Sequence, residues 1–123
     1  MISSSLDALT VDQLVEQFAA IGVAQEQAIW DDDDDKYTSL FWRMNEVKEE
    51  LKHRAGDQRR ALLPLYNHPN VAVRLMAAKA TLAIAPNEAR QVIEAIAASR
   101  EFFYAGDAGM CLLMLDRGEF VPD

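Results

Sequence analysis

At 123 residues the chain has the length of one domain, and half of its residues are apolar, enough for a core without help from disulfides or metals. Its net charge of −8, from 20 acidic and 12 basic side chains, disfavours nucleic acid and anionic membranes as partners, because phosphate affinity comes from Lys and Arg. No run approaches the roughly 18 apolar residues that cross a bilayer. Met1 to Leu6 lacks the basic and apolar parts of a leader, and the single cysteine, Cys111, has no partner for an internal disulfide; the expected setting is the cytoplasm. The acidity is uneven, with 12 acids and 5 bases in residues 1–56 (net −7) against 8 and 7 in residues 57–123 (net −1).

In chain order, Thr10-Val11-Asp12-Gln13 reads as a capping box that opens a helix, and Val11, Leu14, Val15, Phe18 and Ile21 line one face of it. Gly22 is a natural stop, so residues 24–30 are expected as a separate helical stretch. Asp31, Asp32, Asp33, Asp34 and Asp35 are poor in a helix interior but good in a first turn, which predicts a break near Asp31 to Asp33; a single helix over residues 24–55 is the alternative. Residues 36–55 give the strongest helix pattern, with Tyr37, Leu40, Phe41, Met44, Val47, Leu51 and Ala55 in one stripe and Gly56 as terminator.

Asp57 is expected to cap a short helix to about Tyr66, with Leu62, Leu65 and Tyr66 inward, and Asn67-His68-Pro69-Asn70 to form a turn. Asn70 then caps a helix over residues 71–85. Pro86-Asn87 breaks the chain, Ala89, Val92, Ile93, Ile96 and Ala97 make the next stripe, and residues 108–115 form a last helix ended by Gly118. No segment alternates with period two, so no sheet is expected. Short turns between sequential helices make them antiparallel neighbours.

Residues 59–86 resemble a HEAT repeat. Leu62, Leu63 and Leu65 with the internal Pro64 match its first helix, Pro69 its turn, and Val73, Arg74, Ala77 and Ala78 its second helix. Two departures stand out: Asn67 and His68 occupy the place of the Asp that usually pairs with the Arg, and Thr81 fills the slot of a Leu that arrives one place later, at Leu82. Residues 87–117 read as a degenerate second copy. The whole is similar to a small bacterial family of unknown function in the armadillo/HEAT-like class. The resemblance implies an all-α fold, an antiparallel superhelix of about three helical hairpins, as one domain over residues 1–123.

The sequence offers no metal-ligand spacing around His53, His68 and Cys111, no Gly-rich phosphate loop and no nucleophile elbow, so no cofactor and no catalytic residue are expected. His53 and His68 suit surface or cap positions, and Cys111 a buried one. The five aspartates lack the spaced ligands and the Gly of a Ca²⁺ loop, and read as a solvated helix start or as a docking patch for a basic protein. Trp42 lies off its helix's main stripe, as a second packing face or a partner anchor. Arg59, Arg60, Arg74 and Lys79 form a thin basic stretch, too thin to favour nucleic acid. The helix from Ala108 to Leu115 has no polar residue, so the Phe120-Val121 tail, other helices or a second copy must cover it. The function expected is therefore a non-enzymatic protein-interaction module. An immunity- or antitoxin-like inhibitor of a basic toxin is the alternative, and a nucleic-acid-binding HEAT-like protein the alternative of another class.

Overall fold

A computed structural model describes residues 3–123, so the first two residues of the segment read for a leader lie outside it. The described residues are helical: α1 (Val11–Trp30), α2 (Asp34–His53), α3 (Val71–Thr81), α4 (Pro86–Ala97) and α5 (Tyr104–Asp116), with 3-10 segments Ser3–Ala8 before α1 and Gln58–Asn67 between α2 and α3. The fold is all-α, as the periodicity predicts. The chain divides into two compact units, one up to Leu62 and one from Leu63 to Asp123.

In the first unit, the Thr10 hydroxyl accepts the Gln13 N–H at 3.1 Å and the Gln13 side chain accepts the Thr10 N–H at 2.8 Å. This capping box contributes about 1 kcal/mol to helix initiation. α1 packs along α2 through Leu14, Phe18, Ile21 and Ala28 on one side and Leu40, Met44, Val47 and Leu51 on the other, all buried. Gly22 does not end α1, which continues to Trp30. The propensity cost of an interior Gly, about 1 kcal/mol, is smaller than the gain from keeping Ile21 and Ala28 on the buried face. The break falls where the aspartates predict it, which removes the single-helix alternative. Of the expected stripe of α2, Phe41 is 45% exposed, and Ala55 lies exposed beyond the helix end. At the end of α2 the chain turns through Gly56 and Asp57, both at positive φ (80° and 51°). Arg54 donates to the Leu6 carbonyl at 3.0 Å, tying the leading 3-10 segment to this corner.

The segment expected as an α-helix before Tyr66 is a 3-10 run, Gln58–Asn67, with Pro64 inside it. Pro64 has no N–H and its ring crowds the preceding turn, which disfavours the α-helical ladder here.

In the second unit, the Asn70 side chain caps α3 by accepting the Val73 N–H at 3.2 Å. Almost every residue of α3 is buried; Ala72, Ala77 and Ala78, at 0% exposure, let its neighbours approach closely. α3 stops at Thr81, four residues before the expected end. The Thr81 hydroxyl bonds back to the Ala77 carbonyl at 2.8 Å and also hydrogen-bonds the Tyr66 hydroxyl, holding the 3-10 segment to α3. The buried polar Thr81 thus has partners for its hydroxyl. Pro86 starts α4 in its favoured first-turn position, and α4 packs against both α3 and α5. α5 begins at Tyr104 rather than at residue 108, with Gly106 inside it. Tyr104 is buried at 2% exposure, and Asp107 in the first turn binds Lys79 of α3 at 3.1 Å. Those two tertiary anchors outweigh the local preference of Gly106 for a break.

Candidate partner-binding site

The five aspartates are adjacent in sequence but do four different jobs. Asp31 is the C-cap of α1 and accepts from the Gln27 carboxamide at 3.0 Å. Asp32 follows at φ 56°, in the left-handed region; its N–H bonds the Ile29 carbonyl at 3.1 Å, and the Asp33 N–H bonds the Ala28 carbonyl at 2.9 Å. That pair of bonds is a Schellman ending with Asp where Gly is usual. Asp33 then caps α2, its carboxylate accepting the Lys36 N–H at 3.1 Å, and Asp34 and Asp35 occupy the first turn, where the helix dipole favours them. All five are exposed and line one open depression. Among the described residues no group of three or more His, Cys, Asp or Glu side chains is placed to hold a metal ion.

Trp42 is 60% exposed, so it is not a second packing face of α2. Helical spacing puts Asp35, Trp42, Glu46 and Glu49 on one side of the helix. Phe41 meets the Trp42 ring edge-on, with centroids 5.2 Å apart and planes at 83°. Trp30, at the end of α1, is 64% exposed. The first unit therefore presents a carboxylate-rich turn and an acidic helix face that carries exposed aromatic rings. Between α1 and α2 lies a groove of ≈ 220 Å³ with an apolar floor of Ala20, Ile21, Ala24 and Leu40, and with Gln17 and Arg43 as its polar members.

The basic stretch is not a surface strip. Arg59 is 4% exposed and grips Asp57 through two bonds, Nε to Oδ1 at 2.9 Å and Nη2 to Oδ2 at 2.8 Å. That guanidinium holds the Asp57 carboxyl below its ordinary pKa, against a smaller opposing effect of burial. Lys79 binds both oxygens of Asp107 at 3.1 Å. Arg74 donates to the carbonyls of His68 (2.9 Å) and Pro69 (3.0 Å), so its partners are backbone oxygens of the turn rather than a carboxylate. Of the other residues that carry the HEAT resemblance, Leu62, Val73, Ala77 and Ala78 are buried, Leu65 is half-buried and Pro69 is exposed in the turn.

The histidines cap and brace. His53 Nδ1 lies 2.8 Å from the Glu49 carbonyl, and His68 Nδ1 accepts the Asn70 N–H at 3.0 Å. Cys111 is buried, and burial raises its thiol pKa, which suppresses the reactive thiolate.

Sequence reasoning missed Phe41 and Trp30 as surface aromatics, and missed the buried carboxamide of Gln25. Phe41 fits the stripe of α2 but sits at its edge, and only the packing of α1 decides which edge is covered. Gln25 lies on the buried side of α1, at a position where the helical period asks for an apolar residue.

The family described as "Domain of unknown function (DUF2019)" matches residues 12–116. The crystal structure of the protein RPA1889 from Rhodopseudomonas palustris CGA009 is similar to this chain at 49% sequence identity and a TM-score of 0.92, covering 96% of this chain and 98% of that one. Among curated proteins none matches.

Proposed function

We propose, for a chain that belongs to the DUF2019 family of domains of unknown function, that it is a non-enzymatic, cytoplasmic protein-interaction module whose partner presents a basic surface. The observation that carries this reading is the union of the exposed aspartates 31–35 with exposed Trp42 on the first unit. Carboxylates steer a cationic partner and set its orientation. Trp supplies the large desolvated contact that turns an encounter into a complex. The first unit concentrates the charge, with 13 acids and 7 bases up to Leu62 against 7 and 5 from Leu63 onward.

Against a nucleic-acid-binding reading, Arg59 is buried against Asp57, Lys79 is paired with Asp107 and Arg74 is bonded to turn carbonyls, so three of its four cations are already engaged within the chain. We also read residues 57–86 as HEAT-like. Buried Leu62, Val73, Ala77 and Ala78 and the turn-binding Arg74 support this; the 3-10 first helix departs from it.

The test compares affinity capture by the wild-type chain with capture by two variants, one with aspartates 31–35 changed to Asn and one carrying Trp42→Ala. A basic protein held by wild type, eluted by salt and lost from both variants is the expected result. A set of captured proteins unchanged by either variant refutes the site. A captured toxin whose activity the chain suppresses selects the inhibitor form of this reading.

A further inference from the structure

α5 carries an apolar stripe that faces away from its core. Its inner side, Tyr104, Ala108 and Cys111, is buried. On the outer side Gly106, Met110, Leu113 and Arg117 follow at spacings of four, three and four residues, the repeat of a coiled-coil seam. Met110 is 56% and Leu113 46% exposed, and nothing lies within 4 Å of where a Cβ on Gly106 would stand. Just before the helix, Phe102 is 67% exposed, and Phe103 is held at φ 66°, a costly conformation for an aromatic residue.

We propose that this stripe is a self-association seam on which a second copy of the chain lays its own α5 antiparallel, about a two-fold axis. Such an interface must be self-complementary: where one residue meets another, the second meets the first. Setting Met110 on Leu113 of the copy sets Arg117 on Gly106, the one seam position without a side chain to obstruct the guanidinium. The ends of the seam then match in charge, because exposed Glu101 lies about one turn before α5 and exposed Arg117 caps its far end. Phe102 and Phe103 beside Glu101 offer the Arg117 stem an aromatic bed. Net charge permits the pairing, since the second unit carries 7 acids and 5 bases, a net of −2, against −6 for the first. The exposed parts of Phe102, Phe103, Met110 and Leu113 amount to a few hundred Å² per copy, which falls short of the roughly 1,000 Å² in total that a stable interface clears, so the dimer is weak and concentration-dependent.

Sedimentation equilibrium of the whole chain from about 5 to 500 μM, a range that brackets micromolar affinity, is the experiment. Wild type is expected to pass from monomer to dimer within it. Leu113→Glu, at an exposed position, is expected to keep the helical circular dichroism and the thermal transition while raising the dissociation constant at least about tenfold. Arg117→Glu and Glu101→Arg are each expected to weaken the dimer, and the double variant to regain most of the loss. A chain that stays monomeric throughout, or a Leu113→Glu variant that dimerises like wild type, overturns the seam. A double variant no better than either single one overturns the antiparallel register. None of these changes touches Asp31 to Asp35 or Trp42, so capture of a basic partner reports separately.

Discussion

Gln25 sits at 1% exposure on the inner face of α1, and neither its carboxamide oxygen nor its nitrogen has a hydrogen-bond partner in the protein. A buried polar group without a partner costs about 1–3 kcal/mol of desolvation. Replacing it by Met keeps the unbranched length and removes both polar atoms. Subtracting the imperfect fit of a different shape leaves an expected stabilisation of about 1–2 kcal/mol. For 123 residues the unfolding entropy is about 0.26 kcal/mol/K, so each kcal/mol moves Tm by about 4 °C if the whole chain unfolds together. Gln25→Met is therefore expected to raise Tm by about 4–8 °C in thermal unfolding followed at 222 nm, while Gln25→Glu, which buries a charge, is expected to lower it by more than that. A Tm for Gln25→Met that falls by about 4 °C or more refutes the reasoning, since it means the carboxamide makes a bond worth more than its desolvation.

Asp32 is held in the left-handed region in a place that glycine fills without strain, so Asp32→Gly is expected to stabilise the chain by about 0.5–1 kcal/mol, read as a higher midpoint in urea; a lower midpoint contradicts the Schellman ending. Residues 32–36 spell a recognition site for enteropeptidase, but Lys36 lies in the capped first turn of α2. Cleavage after Lys36 is expected in the denatured chain and not in the native one, and prompt native cleavage argues that this turn frays. Burial raises the Tyr66 phenol pKa, so the folded state holds that proton more tightly than the unfolded one. The associated stability is fully present below the unfolded value of about 10 and is lost as pH rises through the folded value. Tyr66→Phe is expected to cost about 1 kcal/mol at pH 7 and progressively less above pH 10, with Thr81 still bonded to Ala77; a gap that widens with pH contradicts this.

Features written within one turn of chain were legible in the sequence. The Thr10–Gln13 box, the Asn70 cap and the break inside the aspartate run depend on groups three or four residues apart, so their chemistry needs no distant partner. The core positions Leu14, Phe18, Leu40, Met44, Val47 and Leu51 followed from the 3.6-residue period alone.

The sequence by itself determined an all-helical chain, its main apolar stripes and the acidic turn, because each of these is a property of neighbours along the backbone. Tertiary structure decided the rest. It carried α1 through Gly22 and α5 through Gly106, turned Phe41 and Trp42 outward, buried Gln25, and joined Lys79 to Asp107 across 28 residues of chain. Local propensities of about 1 kcal/mol yield to the burial of several side chains at once, and which face of a helix is covered depends on a neighbour that its own periodicity does not specify.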